Sequence, residues 1–221
     1  MSSLEAVWEY REEKLYPDLF GKCQEDIFTL TPDIFTEVFF QDPKTIDPRW
    51  LHLGILAFAP TIDRESWLYV TSGGSTPWDS EPEDYNPNEY SGLGAEFVIE
   101  TPDQAAWPIF TLQRVLAYHV LLHSGCYGEM PPLNYTHRIP CGGPINGEPE
   151  CALRFIAIAK PFHYPRTVQL ESGKFNFLHL VGITEAERDY AQENGTNKLL
   201  SLLKSQGACP VTNPYRKEIA F

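Results

Sequence analysis

The 221-residue chain reads as an α+β fold: a mixed, mostly antiparallel β-sheet flanked by α-helices, in a single domain spanning residues 1–221. Three observations predict it. Runs rich in β-branched and aromatic residues are interleaved with helix-like segments, but without the strict βαβ alternation of a parallel sheet. Hydrophobic residues make up 43% of the chain and aromatics 13%, enough for a packed core. A chain of this length commonly forms one core, and no internal repeat or low-complexity tract divides it.

The first helix has capping-box spacing at Ser2 and Glu5 and is expected to stop before Pro17. Strands are then expected at IFTEVFFQ (34–41), WLHLGILAF (50–58), SWLYVTS (66–72) and AEFVIET (95–101). In the second, Leu51, Leu53, Ile55 and Ala57 share one face by period-2 alternation. The intervening GGSTPWDSEPEDYNPNEYSG (73–92), rich in Pro, Gly and acids, reads as a long exposed loop. Pro108 opens a helix to about Leu122, with Gly125 just past its end. A turn-rich stretch from Gly125 to Pro149 leads to strands LRFIAIA (153–159) and FNFLHLVGI (175–183). Thr184 and Glu187 form another capping-box pair, opening a helix that meets Asn194-Gly195 and restarts as TNKLLSLLKSQ.

Charge is the most unusual global property. The formal net charge is −13, and from Glu65 to Gln113 there is no Lys or Arg. That segment holds nine acids: Glu65, Asp79, Glu81, Glu83, Asp84, Glu89, Glu96, Glu100 and Asp103. Such a field repels nucleic acid and anionic membrane and attracts a basic partner protein. Trp78, Tyr85 and Tyr90 lie among these acids, where they either pin the loop to the fold or stack on a partner's long basic side chains. No apolar run approaches the ~18 residues of a membrane span, and MSSLEAVWEYREEK lacks the features of a signal peptide. Cys23, Cys126, Cys141, Cys151 and Cys209 are odd in number and without a C-x-x-C pair, which favours reduced thiols in a cytoplasm. The sequons at Asn134 and Asn194 are then chance matches.

Together LYPD (15–18), Trp50-x-His52, GLGAEFVIE (92–100) followed by Trp-Pro and a long helix, FNFLHLVGITEAE (175–187), NG (194–195) and KLLSLL (198–203) form an ordered set. In this order and spacing the chain resembles the Suppressor of fused (SUFU) domain family, from roughly Leu15 to Arg216. The resemblance implies binding rather than catalysis, with no cofactor. Animal members of that family are intracellular inhibitors that clasp a peptide segment of Gli-type transcription factors, using this domain and a second, C-terminal one. This chain looks like the stand-alone bacterial version, which resembles immunity proteins that neutralise toxins. A Gli-type partner is therefore not carried over. An acidic residue in a Gly-Asp pair faces the peptide in the animal domain; the matching pair here is Gly128-Glu129.

The stretch HVLLHSGC supplies the chemical alternative, a metal- or thiol-dependent enzyme centred on His119, His123 and Cys126. The two histidines lie one helical turn apart and fall on the stripe of Ile109, Leu112, Leu116 and Val120, so both are expected to point coreward. Glu129, His137 and Cys141 are available as further ligands, although no ligand pair repeats with metal-like spacing. A Cys–His nucleophile would use Cys126 or Cys141. SGLGAEF and TSGGSTP fail as phosphate loops, the first lacking a third Gly and a following helix, the second the P-loop Lys. The leading expectation is a non-enzymatic, cytoplasmic protein-binding module that masks a basic partner, with Asp79, Glu81, Glu83, Asp84, Glu89, Trp78, Tyr85, Tyr90 and Glu129 as binding residues. A housekeeping interaction domain is a third reading. A homo-oligomer is compatible with the sequence, but no coiled coil or exposed apolar stripe argues for one.

Overall fold

The computed structural model describes residues 3–221, so the capping role expected of Ser2 lies outside the described residues. Helix α1 (Ser3–Glu9) runs through a π-helical stretch, Tyr10–Leu15, into α2 (Tyr16–Phe20). Pro17 therefore does not end the helix where the sequence suggested. It sits in the first turn of α2, and the wider turns before it accommodate a residue that would clash with the carbonyl four positions back.

One sheet carries the fold. Strands β1 (Cys23–Thr29), β2 (Gly54–Phe58), β3 (Trp67–Ser72) and β4 (Tyr90–Thr101) form an antiparallel meander. Helix α3 (Trp107–His123) and strands β5 (Arg138–Pro140), β6 (Phe155–Ala159), β7 (Thr167–Leu170) and β8 (Gly173–Ile183) follow, then α4 (Glu185–Asn194) and α5 (Thr196–Ser205). The sheet order is β1-β2-β3-β4-β8-β6-β5, with β7 paired to the start of β8; among these strand pairs of the described residues, only the central β4–β8 pair is parallel. The expected mixed, mostly antiparallel α+β sheet is what the chain forms.

Alternation sorts the strands onto two covered faces. Ile55, Ala57, Tyr69, Phe97, Ile99, Leu178 and Leu180 pack with α3 through Leu112, Leu116 and Val120. Leu51 and Leu53 join that cluster, so the expected shared face holds. Leu56, Phe58, Leu68, Val70, Val98 and Phe177 turn to the other face, under Val7, Tyr16 and Phe20 of the N-terminal helices. Further along that face, Ala157, Val181 and Ile183 lie under Leu199 and Leu203 of α5. The capping box of Thr184 and Glu187 is present, and Gly195 at φ +90° separates α4 from α5. Among the described residues, no helix is long and apolar enough to cross a membrane.

Two expected strands are shorter or absent. Ile34–Val38 is a π-helical turn, from which Phe35 tilts against Trp50 (5.3 Å) and the following Phe39 stacks on Tyr118 (6.1 Å). Residues 50–53 precede the strand, because Asp47 caps a 3₁₀ turn, Pro48–His52, by accepting from the Arg49 amide (2.9 Å). Strands β1, β5 and β7 had no counterpart in the sequence reading.

Candidate functional site

Several connections meet at one end of the sheet: the β3–β4 loop, the turn after α3 and the Pro48–His52 turn. Helix α3 runs back along β4, bringing His119 against Phe97 (5.1 Å between ring centroids), so its C-terminal end lies near the start of β4. The β3–β4 loop is the longest of these connections and carries most of the candidate residues.

The loop is exposed only at its tip. Residues 73–77 are buried, which corrects the expectation of a uniformly exposed segment. They are held by Glu96, whose Oε1 accepts from the Gly73 amide (3.1 Å), the Ser75 amide (2.8 Å) and Ser75 Oγ (2.7 Å). Oε2 accepts from Thr71 Oγ1 (2.6 Å). Gly92, at φ +57°, lets the returning chain pass so close that a Cβ there would meet the Thr76 carbonyl at 2.3 Å. From the N-terminal helix, the buried Arg11 donates to Ser72 Oγ (3.0 Å), Ser75 Oγ (3.1 Å), Thr76 Oγ1 (3.0 Å) and Glu12 Oε1 (3.0 Å). It also lies 3.9 Å from Glu96. Burial pushes the Glu96 carboxyl up, while Arg11, Thr71 and Ser75 pull it back.

The tip is braced by rings. Trp78 meets Trp8 edge-on (5.4 Å) and lies 6.0 Å from His52, while Trp8 Nε1 donates to Thr76 Oγ1 (3.0 Å). Tyr85 packs against the N-terminal face of the core. Tyr90 differs: 56% exposed, it lies under Lys174 (5.3 Å), and its hydroxyl accepts from Asn176 (3.0 Å). Two of the three rings thus pin the loop, and the third is open to solvent. Glu81, Glu83, Asp84 and Glu89 are exposed, the middle two in a short 3₁₀ turn. Asp79 is exposed too but engaged with Arg49, 2.5 Å away, which also holds Asp47 at 2.6 Å. Glu96 (0% exposed) and Glu100 (1%) lie inside, so only seven of the nine acids contribute to a surface field.

The histidine stretch separates instead of converging. His119 is buried, and its Nδ1 accepts from the Leu133 amide (3.3 Å), which leaves the proton on Nε2. Burial, reinforced by the neighbouring His123, pushes its pKa down to about 3. The two rings lie 4.6 Å apart, but His123 is exposed at the helix end; the expectation that both point coreward holds for His119 alone. Cys126 is exposed in the following turn, and among the described residues no group of three His, Cys, Asp or Glu side chains could hold a metal ion. Burial pushes the Cys141 thiol up to about 12, away from the thiolate a nucleophile needs. Glu129 is exposed beside Gly128, in the turn after α3.

The sequence reading missed Arg11, Ser72, Ser75 and Thr76. The one available signal was a charged residue four positions after Val7, on the face that buries Val7.

The sequence profile of the Suppressor of fused protein (SUFU) family matches residues 49–217. A sequence comparison with curated proteins gave no match. Among solved structures, a SUFU homologue from Neisseria gonorrhoeae FA 1090 aligns over 99% of this chain and 95% of its own, with TM-score 0.61 and 17% identity. A chain of the Sufu–Fu complex crystal structure aligns over 84% of this chain and 88% of its own, with TM-score 0.60 and 18% identity. Drosophila Suppressor of Fused gives TM-score 0.59 at 18% identity over 84% of this chain, which spans about half, 49%, of the fly protein. At these identities the structural likenesses concern the fold, and the profile match settles the family: this chain belongs to the Suppressor of fused (SUFU) family.

Proposed function

We propose that the chain is a non-enzymatic protein-binding module that uses the tip of its β3–β4 loop to capture a basic partner protein and mask it. One observation carries the reading: Glu81, Glu83, Asp84 and Glu89 project from a loop whose base is fastened by Arg11 and Glu96 and whose flank is braced by Trp78 and Trp8. Charges held on an ordered support act as a preorganised docking surface. Complementary charge raises association rates more than final affinity. The exposed Tyr90 offers a ring for a partner's arginine or lysine. Glu129 is assigned to the same end of the molecule as a second acidic contact. The Sufu–Fu complex shows a relative of this fold bound to another protein, which supports a binding role here. The basic active-site face of a toxin is one partner of the required chemistry, a version suggested by the resemblance to immunity proteins alone.

The test is affinity capture from the native lysate at low and high salt, comparing the natural chain with Glu81→Lys/Glu83→Lys/Asp84→Lys. A basic protein held at low salt, released at high salt and lost on charge reversal is the expected result. Capture of the same partner by the reversed variant would move the binding surface elsewhere.

A further inference from the structure

A second surface lies on the edge strand β1, which among the described residues pairs only with β2. The Leu30 amide donates to the carbonyl of Leu53 opposite it (2.8 Å), so by alternation Phe28 turns its backbone groups toward β2, and Ile27 and Thr29 turn theirs outward. The Thr29 carbonyl is occupied by Gln113 Nε2 of α3 (2.8 Å). The outward amide and carbonyl of Ile27 and the amide of Thr29 form a short open ladder. Such an edge is a template for another strand unless something blunts it.

Around that ladder the side chains are apolar and accessible. Ile27 is 44% exposed and Phe28 36%, on opposite faces of the strand. On the α3 side, Phe28, Tyr69 and Ile109 line a cavity of about 380 Å³, with Asp26, Gln104 and Lys22 as polar lining. The register of β1 shifts between Cys23 and Ile27, so Asp26 lies in an irregular stretch beside the ladder. A second copy of this chain is a poor occupant. It brings another net charge of −13 to a surface that already displays the exposed Asp26.

We propose that this edge accepts an extended basic segment of a partner protein as an added strand. One lysine or arginine stem would lie over Phe28, Tyr69 and Ile109, with its charge at Asp26; Lys22 disfavours a second cation in the same cavity. Main-chain pairing then supplies affinity and the cavity supplies selectivity. This assignment does not rest on the acidic-loop reading.

The experiment titrates the isotope-labelled full chain with a short blocked peptide of alternating lysine and valine, following amide shifts and hydrogen exchange. Two control peptides replace lysine by glutamate or N-methylate alternate amides. The expected result is slowed exchange at the Ile27 and Thr29 amides with the lysine peptide and none with either control. Asp26→Lys, an exposed change, should weaken binding about tenfold. Glu81→Lys/Glu83→Lys/Asp84→Lys should leave it unchanged. Equal protection by the glutamate peptide, unchanged affinity in Asp26→Lys, or shifts confined to residues 79–89 would overturn the assignment. Shifts of that last kind, abolished by the triple reversal, would instead place the peptide on the loop tip.

Discussion

Glu96 and Glu81 belong to the same base-free segment, and they have opposite fates. Glu81, Glu83 and Asp84 stand in solvent, whereas Glu96 and Glu100 are enclosed between the sheet and the layer above it. On β4 the acids alternate with Phe97 and Ile99, a pattern that in a two-layer fold would put them outside. Here the N-terminal helices cover that face. The enclosed acids differ between themselves as well. Both oxygens of Glu96 are engaged, while Glu100 accepts from Ser66 (2.5 Å) through Oε2 and its Oε1 has no partner among the described residues. Formal charge in a segment is therefore a poor measure of its field. What matters is which layer covers the strand, and one buried carboxylate can organise the loop on which the exposed ones are displayed.

The largest effect should come from breaking that organising pair. Arg11→Met leaves Glu96 without its cation and Ser72, Ser75 and Thr76 without their shared donor. Removing one partner of a buried ion pair costs about 3–5 kcal/mol, roughly 10 °C in Tm for a chain of this size. Urea denaturation should show that loss, and Arg11→Met/Glu96→Gln should lose clearly less than the sum of the two single changes. Additive losses would mean that the two residues stabilise the chain independently.

Acid should expose a second buried group. His119 is neutral when folded, with a pKa pushed down to about 3. Above the ordinary histidine value neither state is protonated and the residue contributes no pH dependence. As pH falls from about 6.5 toward 3, the unfolded chain takes up a proton that the folded chain refuses, and stability drops by up to about 1.4 kcal/mol per pH unit. Glu96 acts in the opposite sense. Its carboxyl is pushed up, so its contribution is present below the unfolded value and lost as pH rises through the folded one. His119→Asn keeps an acceptor for the Leu133 amide and removes the titration. Stability measured from pH 7 to pH 4 should fall less steeply in this variant. Parallel curves would assign the acid sensitivity to other groups, His179 first, since burial lowers it too.

How much of this was legible depended on the range of the interaction. Strands β3, β6 and β8 announce themselves by β-branched and aromatic runs, and α3 and α4 by Pro108, Gly125 and the Thr184–Glu187 box, because those signals act over a few residues. Strand β1 reads CQEDIFT, with no apolar alternation, since an edge strand half open to water needs none. IFTEVFFQ has strand composition, yet it forms a π-helical turn whose Phe35 and Phe39 pack on Trp50 and Tyr118, partners 15 and 79 positions away. The loop was recognisable as special from its Pro, Gly and acids. Its anchoring was not, because Arg11 reaches Ser72, Ser75 and Thr76 across 61 to 65 positions, and no local pattern encodes that contact.

The smallest effect on stability should come from the tip itself. Glu81→Gln/Glu83→Gln/Asp84→Asn removes three exposed charges that make no buried contact. Surface changes of this kind are close to neutral, so Tm should move by less than about 2 °C. Mutual repulsion among three neighbouring acids even argues for a slight rise, largest at low salt, where the Debye length exceeds about 10 Å. Thermal melts at low and high ionic strength check this directly. A loss as large as that of Arg11→Met would mean that the tip acids help hold the fold, and the contrast between enclosed and displayed carboxylates would fail. An unchanged melt, together with slower association with a basic partner, would separate display from support: the inner acid holds the loop, and the outer acids are free to meet a partner.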